Sequence, residues 1–162
     1  MKQLSEAEAL HKSAAYCSLA DRCIDDVRKK LTRWNVELPL QNSIIQRLIQ
    51  DRFLDEVRFC KSFVNDKIKF NKWGINKIKF ELRKRNISDE LICTVFHNVD
   101  SDENRERLLQ LLTLKKKSTK GKTDFEVRQK LIRFAAGRGF VIDDILSCVD
   151  KLFPQSLDYD FE

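Results

Sequence analysis

A chain of 162 residues with 42% apolar and 35% charged residues, four Gly and two Pro suits a helix-rich globular protein. The same composition fits a disordered chain or a β-sandwich less well. No apolar run approaches the roughly 20 residues of a membrane span, and the opening MKQLSEAEALHK lacks a secretory core, so a cytoplasmic protein with no membrane association is expected.

The elements follow one another in three rounds. Ser5 and Glu8 form a capping box that opens a first helix, with Leu10, Ala14, Ala15 and Cys17 on one face. A second helix is expected from near Asp21, carrying Ile24, Val27 and Leu31. It stops at Trp34-Asn35, because Asn tolerates the left-handed conformation that ends helices. Pro39 fits the first turn of a third helix whose buried stripe is Ile44, Ile45, Leu48 and Ile49.

The pattern then restarts. A helix from Phe53 to about Lys69 carries Val57, Phe59, Cys60, Phe63 and Val64. Gly74 breaks the chain before a helix with Ile75, Ile78 and Leu82, which Asn86 ends. Ser88 caps the next, with Asp89 and Glu90 at its positive end and Leu91, Ile92, Val95 and Phe96 inward. In the third round Ser101 caps a helix through Leu108, Leu109, Leu111 and Leu112, and a basic loop follows from Lys115 to Lys122. Thr123 and Glu126 form another capping box before Val127, Leu131 and Phe134. Gly137 and Gly139 end that helix, and Ile142, Ile145, Leu146 and Val149 line the last.

The second helix of each round ends alike: Leu31 to Val36, Leu82 to Ile87, Ala135 to Phe140. Each has a small or aliphatic core residue, then Asn or Gly at the turn, then an apolar residue. The copies start 51 and 53 residues apart, a period that marks tandem three-helix units. The expected fold is all-α, with repeats at 1–51, 52–100 and 101–153 and an acidic flexible tail at 154–162. Their stacking suggests an elongated, curved array, right-handed or open, in a monomer.

The net charge of +6 is concentrated. Between Asp66 and Arg85, six Lys and two Arg face only two acids, so this stretch alone carries +6. On a helical wheel Ile75, Ile78 and Leu82 lie within about 60° of one another, while Lys77, Phe80 and Lys84 lie opposite, with Arg83 and Asn76 beside Phe80. Phe80 either packs against an adjacent repeat or serves as an interface anchor or base-stacking platform framed by cations. Candidates for contact with phosphate or an acidic protein are Lys67, Lys69, Lys72, Lys77, Lys79, Phe80, Arg83, Lys84 and Arg85; the bland alternative is a solvated face. Lys115, Lys116, Lys117, Lys120 and Lys122 form a secondary basic patch, expected to be mobile.

Catalytic patterns are weak. Lys120-Gly121-Lys122-Thr123 has the end of a phosphate-binding loop, but the first Gly would fall on Lys116. The five Cys form no CxxC pair, and only two His accompany them, so no metal, cofactor or catalytic residue is expected. His97 is expected to be a satisfied, partly buried residue.

Three stretches resemble the RecX family of recombinase regulators. Leu19-Ala-Asp-Arg-Cys-Ile-Asp-Asp-Val-Arg-Lys-Lys-Leu31 is similar to the family's L-x-x-R-S-x-x-E-L-R-x-K-L segment. Phe53-Leu-Asp-Glu-Val-Arg-Phe-Cys-Lys-Ser-Phe-Val64 is similar to L-x-D-x-x-F-A-x-S-F-V, and Ile78-Lys-Phe-Glu-Leu-Arg-Lys-Arg-Asn-Ile87 to I-x-x-E-L-R-x-K-G-I. Cys23 stands at a customary Ser, which leaves Asp21 to cap the second helix. Cys60 replaces Ala, and Asn86 replaces Gly. The resemblance implies a non-enzymatic regulator, mainly an inhibitor, that lies along the groove of a RecA–DNA filament and lowers its ATP hydrolysis and strand exchange. The residues alone leave two other readings open: a helical nucleic-acid-binding protein that acts without a recombinase, touching single- or double-stranded DNA, and a helical adaptor for an acidic protein.

Overall fold

The computed structural model describes residues 2–154. Beyond Pro154 the expected acidic tail lies outside the described residues. Among the described residues there are nine helices and no strand: α1 (Glu6–Leu19), α2 (Ile24–Arg33), α3 (Leu38–Gln50), α4 (Glu56–Lys69), α5 (Ile75–Lys84), α6 (Asp89–Phe96), α7 (Ser101–Ser118), α8 (Asp124–Gly137) and α9 (Ile142–Leu152). They are the helices of the three sequence rounds, in an all-α helical repeat fold.

The caps follow local chemistry. Ser5 Oγ accepts from the Glu8 N–H at 3.1 Å and Glu8 accepts from the Ser5 N–H at 3.0 Å, the reciprocal capping box. Ser88 caps α6 as expected, accepting from the Leu91 N–H. Asp100, not Ser101, caps α7, accepting from the amides of Asp102 and Glu103. A carboxylate at the positive end of a helix dipole is the stronger acceptor. Similarly α2 begins at Ile24 rather than Asp21. Asp26 takes the Cys23 N–H at 3.2 Å, and Asp21 instead receives Arg58 Nε at 2.7 Å and Ser62 Oγ at 2.8 Å.

The three turns after α2, α5 and α8 are one motif. Asn35, Asn86 and Gly139 have φ of 58°, 58° and 89°. The next residue donates back five positions, Val36 to Leu31 at 3.0 Å, Ile87 to Leu82 at 3.2 Å and Phe140 to Ala135 at 3.2 Å. That bond satisfies a terminal helix carbonyl, and the apolar residue that follows locks into the core. All six of these anchoring residues are buried.

The chain forms two compact units. The first holds residues up to Asp66 together with Glu81–His97, and the second holds Lys67–Phe80 and the chain from Asn98 onward. Helices α4 and α5 are therefore divided between the two, and α6 belongs to the first. In the first unit Ala9, Cys17, Val27, Leu31, Val36, Ile44, Ile45, Leu48 and Leu54 form one core. In the second, Leu108, Leu112, Leu131, Ala135, Phe140, Ile145, Cys148 and Val149 form another. The buried stripe of α1 is Ala9, Ser13 and Cys17, one position from the expected face; Ser13 tolerates this by donating to the Ala9 carbonyl at 2.7 Å. In α9, Cys148 is buried where Ile142 and Leu146 were expected, and those two are exposed.

Each unit also contains a joint in which the turn of one round meets the start of the second helix of the round before. In the first unit, Asn86 Nδ2 donates to Asp25 Oδ1 on α2 at 3.1 Å. In the second, Gly74 N–H donates to the Arg138 carbonyl at 2.7 Å and Asn76 N–H to the Gly139 carbonyl at 3.0 Å. A Cβ at Gly74 would fall on the backbone of Gly139 and Phe140, and one at Gly139 would fall on Lys77. Glycine is required at both positions by close backbone approach.

Candidate functional site

The basic stretch is positioned by this second joint. Gly74 and Asn76, at the start of α5, are pinned to the end of α8, and Arg138 Nη1 also donates to the Asn71 carbonyl at 2.7 Å. Ile78 and Leu82 are fully buried, as the helical wheel requires. The opposite face of α5 is thereby turned outward, and Phe80 is 58% exposed. Its position is that of a surface aromatic rather than a core residue.

In the second unit the cations are interleaved with aromatics. Lys67 Nζ lies 4.6 Å and Lys77 Nζ 4.4 Å from the Trp73 ring centroid, both within cation–π range. Phe70, four residues before Gly74, is 78% exposed. Lys69 and Lys72 are exposed and Lys79 is half-buried. Phe70 and Trp73 were not among the sequence candidates, although aromatics spaced through a lysine run are a readable sign of a stacking surface.

In the first unit the remaining candidates are held by acids. Arg83 Nε sits 2.9 Å from Asp89, and Lys84 Nζ lies 3.7 Å from Glu81. Arg85 reaches Glu81 at 3.3 Å and lies over the Phe63 ring at 4.8 Å. Arg85 thus serves the fold more than the surface. Exposed pairs of this kind are worth little to stability, about 0–1 kcal/mol, so Arg83 and Lys84 can exchange their acids for another anion at small cost.

The secondary basic patch is different from the loop expected. Helix α7 continues to Ser118, so Lys115, Lys116 and Lys117 lie in its last turn, where cations favour the negative end of the dipole. Lys115 lies over Phe134 at 4.8 Å, and Lys116 over Phe153 at 4.2 Å while donating to the Leu152 carbonyl at 2.7 Å. Only Lys120 and Lys122 fall in the short non-helical link, where Lys130 donates to the Lys120 carbonyl. Lysine is a good helix former, and no Gly interrupts the run before Gly121.

The buried thiols of Cys23 and Cys60 are chemically quiet. Burial pushes Cys23 up to about 12 and Cys60 up to about 11, so both remain protonated at neutral pH. His97 is exposed rather than partly buried. Among the described residues no three His, Cys, Asp or Glu side chains gather as a metal site, and no helix is long and apolar enough to cross a membrane.

What this geometry defines is an all-α helical repeat protein. Residues 55–95 match the second three-helix domain of RecX, and residues 102–149 match the third. The chain belongs to the RecX family of regulatory proteins.

It is 24% identical over 159 residues to the Regulatory protein RecX of Leuconostoc mesenteroides, covering 95% of this chain and 58% of that one. The Clostridium tetani protein of the same name is 31% identical over 111 residues, covering 67% and 50%. That of Prosthecochloris aestuarii is 23% identical, covering 94% and 98%. The chain thus spans about half to three-fifths of the first two relatives and nearly all of the third. The crystal structure of RecX from Lactobacillus salivarius shares the fold, with a TM-score of 0.79 at 19% identity over 91% of this chain and 96% of that one.

Proposed function

We propose that this protein is a non-enzymatic, cytoplasmic regulator, mainly an inhibitor, of RecA recombinase. It lies in the groove of the RecA–DNA filament and lowers ATP hydrolysis and strand exchange. Membership of the RecX family supports the regulatory part of this reading. The observation that carries the choice of surface is the outward face of α5, where Phe80 stands exposed in a stretch holding the chain's entire net charge. Lys67, Lys69, Lys72, Lys77, Lys79, Arg83 and Lys84 supply attraction to an acidic filament surface or to DNA phosphates, and Phe80 supplies the apolar anchor. The repeats are assigned to 1–51, 52–100 and 101–153, with the middle one facing the filament. Occupation of the groove hinders the subunit rearrangement coupled to ATP turnover.

A second reading, nucleic-acid binding without a recombinase, is favoured by Phe70 and by Trp73 between Lys67 and Lys77. Aromatics among cations are the elements of a single-strand platform. Binding to bare single-stranded DNA and to the recombinase-coated filament, measured at the same salt, separates the two. The proposal expects the filament to bind more tightly. Preference for bare DNA, with a steep salt dependence, would establish the second reading instead.

A further inference from the structure

Two of the three equivalent helix-ending turns are occupied within this molecule. Asn86 donates to Asp25 near the start of α2, and the carbonyls of Arg138 and Gly139 accept from the first amides of α5. Both joints set a helix C-terminus against a helix N-terminus, so that partial charges of opposite sign meet. Asp25 is held below the usual carboxylate range by its bond to Lys29 and further by Asn86.

The third turn, after α2, is built like the one at Asn86. Asn35 has the same φ of 58°, and its N–H donates to Thr32 at 3.0 Å as that of Asn86 donates to Arg83 at 3.0 Å. The Asn35 side chain is exposed and has no partner among the described residues. It borders a hollow of about 520 Å³ to which Lys2, Lys12, Arg33 and Trp34 also contribute, and no carboxylate lines it. Lys12 Nζ lies 4.9 Å from the Trp34 ring, which holds one cation at the rim.

We propose that the Trp34–Asn35 turn of the first unit is a docking site for the acidic N-terminus of a helix from a partner protein. An Asp in the first turn of that helix accepts from Asn35 Nδ2, as Asp25 accepts from Asn86. The helix's first free amides meet the terminal carbonyls of α2, as those of Gly74 and Asn76 meet α8. Lys2, Lys12 and Arg33 supply the complementary charge. The site goes beyond the proposed function and stands whether or not a recombinase is the partner.

The probe is an N-capped, stapled Ala-rich helix whose first turn reads Asp-Asp-Glu, with an isomer carrying the same three acids in its last turn. Each is titrated into the isotopically labelled protein while the Asn35 side-chain amide and the Trp34 indole are followed by NMR. The first peptide should shift both signals, and the isomer should bind at least about fivefold more weakly, because its acids sit at the wrong end of the dipole. Asn35→Gly keeps the left-handed turn but removes the carboxamide, and should weaken binding about tenfold at unchanged melting temperature. Arg33→Glu should weaken it as well. Equal binding of the isomer, or unchanged binding by Asn35→Gly, would overturn the proposal. So would displacement of the peptide by a short single-stranded oligonucleotide of higher affinity, which would make this a phosphate site. Concentration-dependent shifts of Asn35 without peptide would make the occupant a second copy and overturn it too.

Discussion

The joint in the first unit and the joint in the second place the same kind of turn against the same kind of helix start, yet different chemistry holds them. Asn86 reaches Asp25 through side chains, with Asp21 clamped nearby by Arg58 and Ser62. Arg138 and Gly139 meet Gly74 and Asn76 through backbone hydrogen bonds, with the Arg138 guanidinium on the Asn71 carbonyl beside them. A repeat can therefore conserve a docking geometry while exchanging its means. The first joint depends on the Asp25 charge; the second is indifferent to pH and tolerates no added atom at Gly74 or Gly139.

The largest test of this contrast is steric. Gly74→Ala places a Cβ on the backbone of Gly139 and Phe140 and should cost about 2–3 kcal/mol, read by urea denaturation. Asn86→Gly, the mirror change in the first unit, loses one exposed hydrogen bond and relieves a left-handed residue, so its cost should stay below about 1 kcal/mol. Equal costs would remove the distinction.

The next test is acid. Asp21 is held below the usual range by hydrogen bonds from Ser62 and Arg58, and Asp25 by hydrogen bonds from Lys29 and Asn86. Each contributes stability that is complete above the unfolded-state value, about 3.9, and is lost as pH falls through the lower folded value. Amide exchange followed down through that range should accelerate first at Val27 and Leu31, and later at Ile78. Asp21→Asn should cost about 1 kcal/mol at neutral pH and much less in strong acid.

Glu56 gives the smallest effect, with the opposite sign. Burial, and then the charges of Asp25 and Asp26, raise its carboxyl above the usual range. Its contribution is present below the unfolded-state value, about 4.3, and is lost as pH rises through the raised folded value. Glu56→Gln should therefore raise the melting temperature by about a degree or two at pH 7 and leave it unchanged in acid.

Much of the fold was legible because it is local. Asn35, Asn86 and Gly139 announce themselves as left-handed helix stops, and the apolar residue after each is a local partner. The meeting of Gly74 with Gly139 was not legible. The sequence marks both as breakers, but their contact depends on how one round stacks on the next. Lys115–Lys117 read as a solvated loop because a lysine run resembles one; the rings that receive Lys115 and Lys116 come from α8 (Phe134) and from the end of α9 (Phe153), contacts that only the packing of helices brings about. On the candidate face, periodicity placed Phe80 opposite the core correctly. It could not tell Arg85, committed to Glu81 and Phe63, from Lys69 and Lys72 at the surface.

The central functional claim is tested most directly by the ATPase rate of RecA filaments on single-stranded DNA, titrated with this protein and with the variant Lys77→Glu, Arg83→Glu, Lys84→Glu. The native protein should lower the rate to a plateau, and the variant, still folded, should require at least about tenfold more protein. An ATPase rate unaltered by saturating native protein would contradict it.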